Sequence, residues 1–353
     1  MLPIIRFVGP ESNHTLKKLL LLYWESVEKV DPATGKLRPE MILACNSLLR
    51  DLGHPSEYVC GSTLRLLCRI RESEILEPLV AAVRKNLDHR HAYVRRNAVW
   101  AVHSIYRSFK HLIPNAPEII SAYLEQESDA SCKRNALLML YHCAQERAVA
   151  YIASVLDQVP SFGEILQLAV VEILFKVCRA GCPPADRQNY ISCVAALLQA
   201  QSASVRFEAA GTLLALSGAP SSVRNAALTY VGLLSGESDN NAKLVVLTRL
   251  DDVAHRSPHV MQDVVMDILL GGLACPTLEI RRRTLSIVLD LVTQKNVAEV
   301  VAALKKELTK TTGTGTDKAA EYRQLLVQTV HQCAVRFPSV AADVVHVLMD
   351  YVH

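Results

Sequence analysis

The sequence predicts an all-α solenoid in which pairs of helices stack in a row, and two observations support this prediction. A short motif recurs at nearly constant spacing along most of the chain. Half of the 353 residues are hydrophobic, whereas only 5% are aromatic, and such a composition suits helices stacked on helices. A chain of this length exceeds what one compact core usually holds, so several domains or a repeat array are expected.

Each copy of the motif consists of a polar turn, a small apolar residue, usually a basic residue, and then an apolar helix. Neighbouring copies lie 35 to 38 residues apart, and one gap of 73 residues accommodates a further copy near residues 160–168. This period is typical of HEAT and armadillo repeats, which predicts a right-handed α-α solenoid of about nine helix pairs. The apolar residue of the motif is, in order, Val59, Val94, Cys132, Val205, Ala242 and Ile280.

Local signals agree with helices between the motifs. Apolar residues in Ala98–Ile105 follow the i, i+3, i+4, i+7 spacing of one helix face. Ser128–Asp129 and Ser202–Ser204 offer side-chain oxygens that can cap the helices that follow them. Proline interrupts helices, so we place five prolines between them. These are Pro55, Pro114, Pro117, Pro220 and Pro276.

We predict one solenoid over residues 1–353 with a single flexible loop at 311–318, where the sequence TTGTGTD is of low complexity. The segment 340–352 is predicted to form an apolar helix without a polar outer face. A terminal repeat normally has such a polar face. The array is therefore expected to continue beyond both ends of this chain.

Charge and cysteine content bound the class of protein. A formal net charge of +3 does not by itself indicate a nucleic-acid partner. The ten cysteines are spread through apolar runs, which favours free thiols in the reducing cytosol over a disulfide framework. No apolar segment has the length needed to span a bilayer, so any membrane contact is expected to be peripheral.

No catalytic, cofactor-binding or metal site is predicted, and the chain is not expected to be an enzyme. Cys178, Cys182 and Cys193 lack the second ligand pair of a zinc site, and we interpret them as structural cysteines. His89 and His91 stand in a repeat turn, where a capping or solvated role is favoured over metal binding.

Basic residues recur one position after the motif residue. We expect Arg95, Arg206 and Arg281 to pair with an acid or a carbonyl group of the neighbouring repeat and so to hold the stack together. The basic residues next to these in the sequence are then expected to lie on the outer surface.

Particular segments resemble a known family. They include IIRFVGPESNHTLKKLLLLYWE, HRHAYVRRNAVWAVHSIYRSFKHLIPNAPE, SVRFEAAGTLLALSGAP and VMDILLGGLACPTLEIRRRTLSIVLDLV. Over nearly its whole length the chain resembles the large-subunit family of coatomer and the clathrin adaptors. The resemblance implies an adaptin-type trunk, the N-terminal part of a structural subunit of the COPI vesicle coat, which serves Golgi-to-ER and intra-Golgi protein transport.

The resemblance also implies partners and a location. The trunk of this family holds a smaller longin-domain subunit, here δ-COP, through the concave face of its middle repeats, and it assembles with the other coatomer subunits. It also binds a GTP-loaded Arf-family GTPase, which recruits the coat to the membrane. The chain is accordingly expected in the cytoplasm, peripherally on the cytosolic face of Golgi membranes and COPI vesicles.

The segment CNSLLRDLGHP matches the family pattern around the helix that contacts the GTPase. On that match, Ile42 and Cys45 are presented to the GTPase switch regions, and Asn46 and Leu49 flank them. Cys45 is smaller and more polar than the β-branched residue usual at its position. The candidate rim charges are Lys17, Lys18 and Arg50.

A different class of protein remains as an alternative. A HEAT-repeat scaffold of the nuclear-transport or phosphatase type would bind peptide segments in its groove and would share the same periodicity. The family resemblance, which such scaffolds lack, favours the coat subunit.

Overall fold

The computed structural model describes residues 3–4, 13–311 and 317–349, and helices dominate them. Within these ranges, the one β-type pairing is an isolated antiparallel bridge between Val30 and Leu37. The chain divides into two compact units, residues 1–173 and 174–353. Each unit is built from stacked helices.

The α-helices are numbered in chain order. They are α1 His14–Ser26, α2 Glu40–Leu52, α3 Glu57–Leu67, α4 Ser73–Leu76, α5 Val80–Lys85, α6 Ala92–Ser108, α7 Ala116–Gln126, α8 Ala130–Cys143, α9 Gln145–Val155, α10 Glu164–Ala180, α11 Pro184–Ala196, α12 Ala203–Leu216, α13 Pro220–Gly236, α14 Asn240–Arg256, α15 Pro258–Met261, α16 Val265–Leu273, α17 Leu278–Leu291, α18 Val297–Thr311, α19 Asp317–Arg336 and α20 Ala341–Met349. Short 3-10 helices span Glu77–Leu79, Asn86–Asp88, Lys110–Leu112, Leu156–Ser161, Leu197–Gln199, Gln262–Val264 and Pro338–Val340.

The helices of each unit form a row with partners packed against it. In the first unit, α1, α3, α6 and α8 lie side by side, and α2, α7 and α9 pack against them. In the second unit, α14, α17 and α19 lie side by side, and α13, α16 and α18 pack against them. Each predicted motif copy stands at the start of a helix; five of these helices belong to the two rows, and Val205 begins α12, which packs against α13. Helix α10 begins where the missing copy is predicted.

Burial follows the predicted helical periodicity. Val94, Cys132, Val205 and Ile280 have no exposed surface, and the apolar face predicted within Ala98–Ile105 is buried as well. The copy at 242 differs, because Ala242 is half-buried while its neighbour Lys243 is 8% exposed. In this copy the basic residue of the motif is therefore buried in the interior of the stack.

The turns carry the predicted capping residues. The carboxylate of Asp129 accepts from the amide of Cys132 at 2.9 Å, and the Ser202 hydroxyl accepts from the amide of Val205 at 3.5 Å. The placement of two prolines is corrected: Pro117 and Pro220 lie in the first turns of α7 and α13 rather than between helices. A proline is tolerated there because the first amides of a helix have no intrahelical acceptor.

The predicted 311–318 loop is corrected at its edges. Thr311 still belongs to α18, and α19 already begins at Asp317. Residues 312–316 lie outside the described residues. That the whole chain forms one continuous solenoid of about nine helix pairs stays a prediction.

Arg95, the basic residue after Val94, reaches the end of the next helix. Its Nε and Nη2 donate to the carboxylate of Glu127, just beyond α7, at 2.7 and 2.8 Å. Its Nη1 donates to the carbonyls of His89 and Arg90 at 3.0 Å. The Glu127 side chain is 3% exposed. The prediction for Arg95 is confirmed.

Other repeats satisfy the same position differently. Arg281 lies over the ring of Tyr322, 3.8 Å from its centroid, and Lys133 lies 6.0 Å from that of Phe162. The ammonium of Lys243 lies 3.2 Å from the Cys275 sulfur. The buried Nε of Arg206 has no hydrogen-bond partner among the residues described. We predicted that Arg281 and Arg206 pair with an acid or a carbonyl group, and both predictions are wrong in part or in full. Arg281 lies on an aromatic ring instead. The Nε of Arg206 has no such partner within the described part of the chain.

Hydrogen bonds determine the ionisation of Glu127. Burial alone would raise the pKa of this carboxyl, but donors from Arg95, Tyr123 and the amides of Asp129 and Ser128 outweigh it and lower the pKa to about 2. The hydrogen bond with Glu127 raises the pKa of Arg95, against a smaller opposing effect of burial. The carboxylate therefore stays charged in the folded chain well below the usual range.

We expect Glu127→Gln to lower the free energy of unfolding by about 3 kcal/mol, because it leaves the Arg95 guanidinium without its buried counter-charge. Urea unfolding followed by circular dichroism measures this. The matched control is Glu118→Gln, since Glu118 pairs with Arg147 at 2.8 Å on the exposed surface of the same unit. It should cost less than about 1 kcal/mol. Equal losses in the two variants would contradict a special role for Glu127.

The contribution of Glu127 should depend on pH with a definite sign. A folded-state pKa of about 2, below the ordinary value of 4.5, stabilises the fold above pH 4.5 and does so progressively less as the pH falls towards 2. The stability difference between the wild type and Glu127→Gln should therefore shrink over that window in urea titrations. A difference that stays constant down to pH 2.5 contradicts this assignment.

Candidate GTPase-binding surface

Helix α2 carries the candidate residues and separates them into two faces. Met41, Ala44, Leu48 and Leu52 are buried against the rest of the unit. On the other side, Ile42, Leu43 and Leu49 are 63%, 47% and 43% exposed. Asn46 and Arg50 are exposed beside them. The spacing of these outward residues, i, i+1, i+4, i+7 and i+8, is that of one helix face. We call Ile42, Leu43, Asn46, Leu49 and Arg50 the α2 patch.

The structure does not present Cys45 together with Ile42. Cys45 is 7% exposed, its sulfur lies 3.8 Å from the carbonyl oxygen of Ile75, and burial raises the pKa of its thiol. Residues three apart on a helix differ by about 60° in direction, and the boundary between the buried and the exposed face falls between these two. The predicted placement of Cys45 at the contact surface is therefore corrected.

Lys17 is also corrected, because it is a buried residue of the stack. Its ammonium donates to the carboxylate of Asp51 at 2.8 Å, and the two side chains are 11% and 8% exposed. This ion pair joins α1 to the end of α2. Lys18, by contrast, is exposed and lines a small recess that also includes Asp51 and Tyr58. Lys18 and Arg50 remain as candidate rim charges.

Sequence reasoning missed Leu43. The signal for it is present in EMILACNSLLRDL, where Met41, Ala44, Leu48 and Leu52 complete one apolar face by themselves. Large apolar residues outside that face are then expected to point outwards. Ile42, Leu43 and Leu49 satisfy this condition without any reference to a family pattern.

The other side chains considered as sites act within the fold. The ring of His91 accepts from the amide of Tyr93 at 3.3 Å, and that of His89 accepts from the amide of His91 at 3.0 Å. Both are therefore caps of the turn before α6, as predicted. Burial raises the pKa of Cys178 to about 11, with smaller effects from Cys182, so this sulfur keeps its proton.

One cluster escaped the sequence analysis. Asp251, His255 and Asp290 place ligand-type atoms within 4.8 Å of one another on the surface of the second unit. The Nδ1 of His255 already lies 2.8 Å from the carbonyl oxygen of Asp251. Exposed groups of this kind are common, and no site is assigned to them. None of the helices within the described ranges is long and apolar enough to cross a membrane.

Comparison with known proteins places this chain in a family. The family model described as "Adaptin N terminal region" matches residues 2–353. Coatomer subunit beta of Dictyostelium discoideum is 53% identical over 351 residues, which cover 99% of this chain and 38% of that protein. The Sus scrofa coatomer subunit beta is 52% identical over 357 residues, covering 99% and 37%. The chain thus spans well under half the length of these relatives.

A structural neighbour supports the fold class. A chain in a homology model of the full-length AP-3 complex in an intermediate open conformation matches with a TM-score of 0.68 at 15% identity, covering 96% of this chain and 62% of that one. At this identity the likeness concerns the fold alone, and it confirms the predicted helical solenoid class. The chain belongs to the adaptin N-terminal region family, and within it the chain is similar to coatomer subunit beta.

Proposed function

We propose that this chain is the trunk of a structural subunit of the COPI vesicle coat, which binds δ-COP and GTP-loaded Arf to assemble coatomer on Golgi membranes. Identity of 53% to a coatomer subunit beta over nearly the whole chain supports the coat assignment. It also favours a coat subunit over a nuclear-transport or phosphatase scaffold. The coat would serve retrograde Golgi-to-ER and intra-Golgi transport, on the cytosolic face of the membrane.

The observation that carries the Arf part of the proposal is the α2 patch. Three large apolar side chains, Ile42, Leu43 and Leu49, stand exposed on one helix while the opposite face is packed. Apolar side chains grouped in this way supply a contact that is desolvated on binding, and charges at the edge steer the partner. Arg50 and Lys18 are suited to face an acidic rim.

A switch-type GTPase explains how binding to such a patch is controlled. Its switch loops are ordered by the γ-phosphate and released on hydrolysis, so a matching apolar surface exists in the GTP form alone. The α2 patch lies on a rigid helix that is held on its other side by the Lys17–Asp51 ion pair and by buried Met41 and Leu48. A preformed surface pays little ordering cost on binding. A lipid-carrying GTPase would also provide the membrane attachment.

We expect Ile42→Asp combined with Leu49→Asp to weaken binding of GTP-loaded Arf at least about tenfold, because charge replaces the apolar contact. Pull-down on immobilised Arf, loaded with a non-hydrolysable GTP analogue or with GDP, measures the loss. Both residues are exposed, so the thermal midpoint should be unchanged.

The matched control is Leu228→Asp with Val245→Asp. These residues are 39% and 51% exposed and lie on α13 and α14, far along the chain from α2. GTP-dependent binding should survive in the control. Unchanged binding by the α2 double variant would refute the patch assignment.

A further inference from the structure

A second surface lies on the helix row of the first unit, apart from the α2 patch. Two adjoining recesses of about 760 and 530 Å³ run along this row, and both include Asn97 and Trp100 of α6. The first recess reaches Lys18 in α1 and Arg65 in α3. The second reaches Arg134 in α8 and the start of α10. We call the two recesses together the basic groove.

The charge of the basic groove is strongly one-sided. Seven Lys and Arg side chains line it, against two glutamates. One glutamate, Glu25, forms an ion pair with Arg69, which leaves a clear excess of positive charge. His103 also lines the groove but adds no charge at neutral pH, because burial, with smaller effects from His142 and Arg107, lowers its pKa to about 4. Such a groove attracts an anionic ligand.

Trp100 stands where the two recesses meet. It is 37% exposed, which is unusual for a large aromatic side chain in the middle of a packed row. The centroid of its ring lies 5.3 Å from that of His103, whose ring in turn stacks on His142 at 6.0 Å. The indole is therefore supported from behind and offers its free surface to the groove, as an aromatic contact for an apolar or aromatic side chain.

Two asparagines give the groove a repeating feature. Asn97 and Asn135 each follow the motif residue by three positions and are each 7% exposed. The Nδ2 of Asn97 donates to the carbonyl of Tyr93 at 2.6 Å, and that of Asn135 to the carbonyl of Arg96 at 3.1 Å. Each amide nitrogen has two hydrogens, so each retains a second donor. The Oδ1 of Asn135 accepts from the Nη1 of Arg134 at 3.3 Å. The second donor of each carboxamide matches a carbonyl group of a peptide main chain.

The spacing of the row suits an extended chain. Neighbouring packed helices lie about 10 Å apart, which is the length of about three residues of extended peptide. Asn97 and Asn135 stand on the neighbouring helices α6 and α8. From α1 to α10 the groove crosses four such steps, so it can accommodate roughly twelve extended residues.

We propose that the basic groove binds an extended acidic peptide segment of a partner protein. The asparagines contact its main chain, Trp100 receives an apolar side chain, and Arg65, Arg96 and Arg134 select aspartate and glutamate. A membrane surface fits less well, because a flat bilayer does not reach asparagines that are 7% exposed. This proposal does not depend on Arf binding or on the coat assignment, since it uses neither the α2 patch nor any property of the relatives.

The test is selection of a random dodecapeptide library, displayed on phage, against the immobilised full chain, followed by fluorescence anisotropy on the enriched peptides. We expect enriched sequences to be rich in Asp and Glu around an apolar or aromatic residue. Arg65→Glu with Arg134→Glu should weaken their binding at least about tenfold. Trp100→Ala should weaken it as well. Methylating the backbone nitrogens of the peptide should also reduce affinity, and this test leaves the protein unaltered.

The matched control is Arg84→Glu with Arg90→Glu, because both residues are exposed in the same unit and line neither recess. Binding should persist in this control. Enrichment of uncharged or basic peptides, or an equal loss of affinity in both double variants, overturns the proposal. The proposal is also overturned if no peptide is enriched and the chain instead binds phosphatidylcholine–phosphatidylserine vesicles through Arg65 and Arg134.

Discussion

In several repeats the residue that follows the apolar motif residue contacts the end of a neighbouring helix, and this contact ties the stacked helices together. The C-terminal end of a helix exposes carbonyl groups with partial negative charge. A side chain from a neighbouring helix contacts these carbonyl groups or the residues that follow them. Arg95 with Glu127 and Lys243 with Cys275 are contacts of this kind, and the pair of Lys17 and Asp51 joins α1 to the end of α2 in a similar way. At Cys60, which follows Val59, the thiol lies 3.1 Å from the carbonyl oxygen of Leu52 and 3.3 Å from the Oδ1 of Asn86. The chemistry varies from copy to copy, and the copies with Arg206 and Arg281 depart from the pattern.

This contact and the apolar motif residues lie on the buried sides of the helices. The packing therefore determines which side chains remain exposed for partners. On α2 the inner side is complete with Met41, Ala44, Leu48 and Leu52, so Ile42, Leu43 and Leu49 stand outside. On α6 the motif residue and the periodic apolar face are buried, and Asn97 and Trp100 border the groove. The α2 patch and the basic groove therefore lie on different helices of the first unit.

The fold could be predicted from the sequence because its signals are local and repeated. Motif spacing, capping by Asp129 and the periodicity of Ala98–Ile105 each depend on residues a few positions apart. The site residues could not all be predicted, since their exposure depends on distant partners. Lys17 resembles a surface lysine until Asp51, thirty-four positions later, is found beside it. Similarly, the residues near Arg281 in the sequence do not predict its contact with the ring of Tyr322.

The proposed role as a coat trunk requires that the chain hold the smaller subunit stably, and this requirement is the most direct test of the proposal. The measurement is co-expression of this chain with the longin domain of δ-COP, followed by gel filtration with light scattering. We expect one species with the mass of a one-to-one heterodimer. Two monodisperse species that elute separately at their individual masses would contradict it.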